Sequence, residues 1–210
     1  MKDTLVTIVR NDELHARWLN TLSYLENVGA RKISTCENDT TTDLVQLKHA
    51  AEEHRHAYYL KKQISKLAPG AFTCYESKDL FAPVFTRQYL QRLDLACCRH
   101  LAKHYHISGQ RLKYAAYLFV TYAIEVRADE LYPVYQEVLS ELQSRIMVKS
   151  IIMEEEGHLE EMNHMLALFD PEWNKQATSI LAIEKELFTD WLNAINAEIF
   201  SYEGISTAMA

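Results

Sequence analysis

The chain has 210 residues, of which 48 % are hydrophobic and only five are Gly and four are Pro. This length allows one domain with a sizeable core, and the scarcity of helix breakers predicts that residues 1–210 form a single all-helical domain. The net charge of −7 gives a nucleic-acid partner no electrostatic support, so we expect none. The first residues lack a signal peptide's apolar core, no apolar run is long enough to span a bilayer, and the four Cys suggest no disulfide framework. We therefore expect a cytoplasmic protein without a membrane span.

Hydrophobic residues recur at helical spacing in six segments of the chain. The predicted helices extend from Asp12 to about Ala30, from about Thr42 to Leu67, from Pro83 to about Tyr105, from Ser108 to near Leu131, from about Ser140 to Phe169, and from about residue 171 to residue 200. Pro133 is expected to break or kink the fourth helix, since a proline inside a helix removes a backbone hydrogen bond. The first five helices form a predicted core bundle over about residues 12–169, and the sixth is expected to cover it.

The first two helices each place an ionisable side chain beside apolar residues. Glu26 borders the apolar stripe of the first helix, and an edge position that reaches solvent is the alternative. On the second helix, Glu53 and His56 form a Glu-x-x-His pair and share a face with apolar residues such as Leu60. Residues three apart on a helix are side-by-side neighbours, so one metal ion could take both as ligands.

The fourth and fifth helices repeat this arrangement. Glu125 lies between Ile124 and Val126 in the most apolar helix, where an unpaired carboxylate is costly. Glu155 and His158 form a second Glu-x-x-His pair on the apolar face of the fifth helix. Burying a carboxylate and an imidazole is expensive unless something neutralises and orients them, and a metal ion would do both.

Two other sets of residues with ligand spacing are weaker candidates. Glu161 and His164 form a third Glu-x-x-His pair, but they project along a less apolar line of the fifth helix. On the third helix, Cys97, His100 and His104 are spaced like zinc ligands. No second cluster completes a tetrahedral site there, and a buried Cys is commonly just a small apolar residue.

In chain order, the inward-facing residues are a single Glu followed by a Glu-x-x-His pair, and this order occurs twice. The step from Glu26 to Glu53 is 27 residues and the step from Glu125 to Glu155 is 30 residues, as two antiparallel helix pairs would give. This pattern resembles that of the ferritin-like di-iron carboxylate proteins, over about residues 12–169. The resemblance is strongest at Glu52-Glu53-His54-Arg55-His56, where the oxygen-activating branch of the family has an acid, Glu, any residue, Arg and His.

The resemblance implies a ferritin-like four-helix bundle with an extra crossover helix and a C-terminal helix. It also implies a site for two iron ions, with manganese or a mixed Mn/Fe pair as alternatives. The implied metal ligands are Glu26, Glu53, His56, Glu125, Glu155 and His158. The candidates for hydrogen bonds that support these ligands are Glu52, Arg55, Asp129 and Glu154.

Two residues near the implied ligands have open roles. Tyr122 lies one helical turn before Glu125 and is a candidate redox-active tyrosine, although a core tyrosine with a satisfied hydroxyl is the simpler interpretation. Gly157 stands where the family's motif has Arg. It would either leave room beside His158 or permit a local π-bulge.

The function that the resemblance implies is a non-haem di-iron oxygenase or oxidase, which activates O₂ as co-substrate and oxidises an organic molecule. The apolar fourth helix suits an apolar small-molecule substrate, and such an enzyme needs an external electron donor. A homodimer is compatible with the sequence. The alternatives are iron or peroxide handling by a ferroxidase of the ferritin or rubrerythrin type, a manganese catalase, and a purely structural helical bundle.

Overall fold

Helices make up the regular structure of this computed structural model, which describes the backbone of residues 1–208 and the side chains of residues 1–201. The α-helices among these residues are α1 (Lys2–Val9), α2 (Asp12–Thr35), α3 (Leu44–Gln63), α4 (Pro83–Tyr105), α5 (Gly109–Glu141), α6 (Lys149–Phe169) and α7 (Asn174–Ala208). Two short 3₁₀ helices, Ile64–Lys66 and Ser77–Asp79, lie between α3 and α4. Residues 1–208 contain no β-strand, so the prediction of an all-helical chain is confirmed.

Polar side chains fix the starts of the two helices that open the bundle. The Asn11 side chain accepts hydrogen bonds from the backbone N–H groups of Glu13 and Leu14, at 3.0 and 3.1 Å, and so caps α2. The Asp43 carboxylate caps the first turn of α3 in the same way. Each cap satisfies backbone donors that have no partner within the helix.

Pro133 does not end the fourth predicted helix, which corrects the sequence-based boundary. Helix α5 continues from Gly109 through Pro133 to Glu141. Pro133 is exposed, so the hydrogen bond that it removes lies on the solvent side of the helix. Buried residues on the opposite face, including Leu131 and Tyr135, keep the helix packed against its neighbours on both sides of the proline.

Several other boundaries differ from the prediction, including the end of α2, which lies at Thr35 and not at about Ala30. Helix α6 begins at Lys149 rather than near residue 140, because α5 occupies the intervening residues. Helix α7 begins at Asn174 and extends to Ala208, beyond the predicted end at residue 200. The sequence also missed α1, a short amphipathic helix whose buried residues include Leu5 and Ile8.

Four of the helices form a closed ring. Helix α2 packs along α3, α3 contacts α6, α6 packs along α5, and α5 contacts α2. The pairs α2–α3 and α5–α6 are each joined by a short connection, so the two helices of each pair are antiparallel neighbours. The chain passes from the first pair to the second through α4.

The remaining helices cover one side of this ring. Helices α4 and α7 pack against each other and against α5, and α4 also contacts α2. Helix α1 packs against α5 and α2. Large buried side chains fill the space between the layers, among them Trp18, Tyr135 and Trp191. Among the described residues, no helix is both long enough and apolar enough to span a membrane.

Candidate metal centre

The six residues predicted as metal ligands come together inside the ring. They form two groups, and within each group the possible ligand atoms lie within 4.8 Å of one another. The first group consists of Glu26, Glu53, His56 and Glu155, and the second of Glu53, Glu125, Glu155 and His158. Glu53 and Glu155, one from each Glu-x-x-His pair, belong to both groups and therefore lie between two adjacent positions.

Five of these six side chains are almost completely removed from solvent. Glu125 is 2 % exposed and Glu155 is 3 % exposed, and both histidines are 1 % exposed. Glu26 is half-buried and lies on the wall of a partly open cavity. A carboxylate buried without compensation is strongly destabilising, so four of them in one place require protons or cations.

Each histidine is oriented by an acid from the opposite Glu-x-x-His helix. The Nε2–H of His56 donates to Oε2 of Glu154 on α6 at 2.7 Å, and the Nε2–H of His158 donates to Oε2 of Glu52 on α3 at the same distance. These bonds leave the Nδ1 atom of each ring directed at the carboxylates. Nδ1 of His56 lies 3.0 Å from Glu155, and Nδ1 of His158 lies 3.3 Å from the same residue.

Arg55 completes one of these two interactions. Its guanidinium donates to both carboxylate oxygens of Glu154, at 2.8 and 2.5 Å, while His56 uses one of the same oxygens. Burial opposes ionisation of Glu154, but the hydrogen bonds from Arg55 and His56 lower its pKa. Glu154 is therefore a fixed anion that holds the His56 ring and determines which nitrogen carries the proton.

The charges of the cluster are unbalanced in the protein alone. Burial raises the pKa of Glu53 well above its usual range, and the charges of Glu155 and Glu26 raise it further. Burial and the charge of Glu155 do the same to the pKa of Glu125. Burial lowers the pKa of His158, but its hydrogen bonds to Glu125 and Glu155 outweigh that effect and raise the pKa to about 11. Without a cation, this site therefore retains extra protons.

The donor set fits two divalent metal ions. Nδ1 of His56 is buried and has no hydrogen-bond partner, although it lies beside the Glu155 carboxylate. An unpaired buried nitrogen is costly, and a metal bond to its lone pair would remove that cost. Four carboxylates carry the four negative charges that two divalent cations neutralise, and carboxylate with imidazole is a set that iron and manganese accept.

A partly open cavity of about 90 Å³ lies against the carboxylates of the cluster. All four of its glutamates border this cavity, and neither histidine does. The rest of the wall is mainly apolar and comes from α2, α4, α5 and α7, with Leu22, Leu25, Leu90, Ile124, Leu131, Phe188 and Trp191 among its residues. The cluster thus has a histidine side, supported by α3 and α6, and an apolar side covered by α4 and α7.

Arg127 lines the cavity and forms a buried ion pair behind its wall. The Arg127 guanidinium donates to both carboxylate oxygens of Glu184 on α7, at 2.8 and 2.6 Å, and the hydroxyl of Tyr89 donates to the same carboxylate. Glu184 is 1 % exposed. The sequence assigned α7 only a covering role. In the structure α7 contributes Phe188 and Trp191 to the cavity wall.

Two residues predicted near the site lie elsewhere. Tyr122 packs edge-on against Trp173, with ring centroids 5.0 Å apart, and Asp129 is exposed and belongs to neither group. The tyrosine at the cluster is Tyr132, whose hydroxyl donates to Oε1 of Glu26. Tyr132 lies two helical turns after Glu125 on the same face of α5, which is the signal in the sequence that could have identified it.

The third Glu-x-x-His pair remains outside the cluster. Glu161 accepts hydrogen bonds from Lys48 at 2.6 Å and from the Nε2–H of His49 at 2.7 Å, and His164 is exposed. The sequence did not single out His49, a fully buried residue that accepts a hydrogen bond from Tyr117 at its other nitrogen. Its ring lies against the ring of His158, with centroids 4.7 Å apart.

Neither explanation offered for Gly157 is supported by its surroundings. A Cβ added to Gly157 would meet no atom within 4 Å, so the residue does not make room for a neighbour. Helix α6 is regular α-helix throughout and contains no π-helical turn. We find no structural requirement for glycine at this position.

Compared with known proteins, the chain matches no family model, no curated protein and no solved structure. The assignment of a function to this protein therefore rests on the geometry of the site.

Proposed function

We propose that the protein is a ferritin-like, non-haem di-iron oxygenase or oxidase that uses O₂ to oxidise a small apolar molecule. The observation that carries this proposal is the sharing of Glu53 and Glu155 between two ligand groups. A mononuclear site needs no such sharing, whereas two adjacent metal ions need carboxylates that reach both.

The roles of the six side chains correspond to the two groups. Glu26 and His56 would hold one ion, Glu125 and His158 would hold the other, and the two shared glutamates would bridge them. Two iron ions, when bound, supply the electrons for reduction of dioxygen. Glu52 and Glu154 orient the histidines so that each Nδ1 faces the site, which would keep both rings in position to bind metal.

The cavity supports an oxidation of an organic substrate rather than iron storage. Its wall beside the carboxylates is built from residues such as Leu25, Ile124 and Phe188, which would bind an apolar molecule and exclude water. Hydrated iron would gain nothing from such a wall. We further propose that electrons come from an external donor, because the cycle consumes reducing equivalents, and that the protein works in the cytoplasm, as a homodimer if it associates.

Metal analysis after anaerobic loading with Fe²⁺ tests the proposal. We expect about two metal ions per chain in the wild type, and a loss of bound metal in Glu155→Gln. The matched control is Glu161→Gln, which changes the same residue type on the same helix outside the two groups and is expected to keep the full metal content. Less than one metal ion per chain in the wild type would refute the proposal.

Oxygen uptake separates the enzyme from the storage alternative. The reduced, metal-loaded protein is expected to consume dioxygen as a monomer or a small discrete oligomer and to form no mineral core. A shell-like assembly that retains many iron atoms per chain would instead assign the protein to iron storage. Loading with manganese under the same conditions shows which metal supports oxygen consumption.

A further inference from the structure

A continuous column of aromatic rings leads from the cavity into the core. Tyr89 and Trp191, which both line the cavity, are stacked with centroids 6.0 Å apart and an interplanar angle of 25°. Trp191 is stacked on Trp18 at 5.6 Å and 26°, and Trp18 meets the edge of Tyr135 at 6.2 Å. We call these four residues the aromatic column. It connects α4, α7, α2 and α5 in that order.

The inner end of the column is equipped to release a proton. The hydroxyl of Tyr135 donates to Nε2 of His15 at 2.6 Å, and both side chains are buried. Burial lowers the pKa of His15 to about 4, so its imidazole is neutral at physiological pH and free to accept a proton. Burial also raises the pKa of Tyr135 well above its usual range, so the phenol is protonated.

The two tryptophans in the middle of the column have no strong proton acceptor beside them. Nε1–H of Trp18 is buried and has no hydrogen-bond partner among the described residues, and Nε1–H of Trp191 donates only to the hydroxyl of Thr86, at 2.8 Å. A tryptophan that loses an electron here has no strong base to take its proton. It therefore remains a strong oxidant for a neighbouring ring, whereas a tyrosine beside a neutral imidazole is stabilised by giving up its proton.

We propose that the aromatic column is an electron-transfer path that carries one electron at a time from Tyr135 to an oxidised ring at the cavity wall. When Trp191 has lost one electron, Trp18 reduces it, and Tyr135 then reduces Trp18. The proton of the Tyr135 hydroxyl moves to Nε2 of His15. The products are a neutral tyrosyl radical, a protonated His15 and two restored tryptophans, so one electron and one proton have moved.

The use of this path rests on the proposed function. Oxygen-derived oxidants formed beside the cavity would oxidise Trp191 when no substrate is bound, because this ring is part of the cavity wall. Transfer along the column would move the oxidising equivalent into the core and spare the cavity wall from chemical modification. The path itself needs no metal, so it is tested on the metal-free protein, and a failure of the metal proposal leaves this test valid.

Laser flash photoionisation of tryptophan provides the oxidised ring, with nitrous oxide to scavenge the ejected electron and tert-butanol to scavenge the hydroxyl radical that this reaction forms. The starting protein is the double variant Trp173→Phe/Tyr89→Phe. Its two remaining tryptophans, Trp18 and Trp191, both belong to the column, and Tyr135 is the one column tyrosine that it keeps. We expect the tryptophan radical to decay with the same rate constant as a tyrosyl radical rises. Adding Tyr135→Phe is expected to slow this transfer by an order of magnitude or more.

Two further variants separate the path from a general loss of packing. Adding Trp18→Phe instead is expected to lengthen the lifetime of the Trp191 radical, because the connecting ring is gone. The matched control is Tyr122→Phe, which removes a hydroxyl from a tyrosine outside the column and is expected to change nothing. Circular dichroism and the thermal midpoint establish that each protein is folded.

Two results would overturn the proposal. One is decay of the tryptophan radical in the starting protein without any tyrosyl radical. The other is an equally fast tyrosyl rise after Tyr135→Phe, since the electron would then come from a tyrosine outside the column.

Discussion

His56 and Glu154 lie on different Glu-x-x-His helices, and Nε2 of His56 is 2.7 Å from Oε2 of Glu154. The reciprocal contact, between His158 and Glu52, has the same length. Helices α3 and α6 therefore each provide two residues to the cluster, and each also provides one acid that orients the histidine of the other helix. This exchange fixes the register of α3 against α6, since sliding either helix by one turn would separate both pairs.

Because Glu154 holds His56 in place, a substitution of Glu154 should weaken metal binding although all six candidate ligands stay unchanged. Glu154→Gln removes the negative charge that holds the His56 ring and its protonation state, so we expect the affinity for the metal to fall by about 10–100-fold. Competition with a chelator measures this. Glu156→Gln, two positions along the same helix, is the matched control and should leave the affinity unchanged. An unchanged affinity in Glu154→Gln would show that the carboxylate does not support the site.

A substitution of Gly157, on helix α6 of the candidate site, should stabilise the protein. Gly157→Ala adds a Cβ that meets no atom within 4 Å, and alanine is favoured over glycine in a helix by about 1 kcal/mol. We expect the free energy of unfolding in urea to rise by roughly this amount and the metal content to stay the same. The contrasting control is Gly70→Ala, where φ is +79° and alanine is strained. Destabilisation by Gly157→Ala would indicate a role for this glycine that the packing does not reveal.

The cavity predicts binding of small apolar molecules. Apolar cavities of this kind take up xenon, so we expect xenon NMR of the metal-free protein to detect a bound population. Ala128→Phe places a ring in the cavity and is expected to abolish the xenon signal while leaving the metal content of the loaded protein intact. Ala51→Phe adds the same ring at an exposed position and should have no effect. Xenon binding that survives Ala128→Phe would place the apolar space elsewhere.

The Arg127–Glu184 pair predicts a large cost when one partner is removed. Glu184→Leu leaves the guanidinium of Arg127 without its main partner in a largely buried position, so we expect a loss of stability of about 3–5 kcal/mol. The double variant Arg127→Met/Glu184→Leu should recover much of this loss, because no uncompensated charge remains. Urea unfolding of the four proteins of this cycle provides the coupling energy. Purely additive losses would mean that the two side chains stabilise the fold independently.

The sequence predicted most of the helices and the two Glu-x-x-His pairs because both depend on short-range spacing. The proximity of all six residues was implied only by the resemblance to the di-iron carboxylate proteins. Glu53 and His56 share a helix face whatever the rest of the chain does, and so do Glu155 and His158. Helical spacing from Glu125 makes both Tyr132 and Tyr122 candidates for the tyrosine beside the cluster. The chain has twelve Tyr, and only the packing of α5 against α2 distinguishes Tyr132 from Tyr122.

Other features depend on contacts between distant segments. Helix continuity at Pro133 reflects the packing of the residues around it rather than the local preference of proline. The cavity needs Phe188 and Trp191 of α7 to lie beside Leu25 of α2, and no local pattern links these helices. Sequence patterns therefore identify ligand-type residues more readily than the space in which a substrate would bind.

His15 predicts the pH dependence of stability in the metal-free protein. Burial lowers its pKa from 6.5 to about 4, so the unfolded chain takes up a proton below pH 6.5 that the folded protein does not accept until about pH 4. The folded state therefore loses stability as the pH falls through this window, by about 3 kcal/mol at about 1.4 kcal/mol for each unit of pH. His15→Gln keeps an acceptor for the Tyr135 hydroxyl and removes the titrating group, so its free energy of unfolding in urea should fall less between pH 7 and pH 4 than that of the wild type. His54→Gln, at an exposed position, is the matched control, and equal pH dependence in wild type and His15→Gln would contradict a neutral, buried His15.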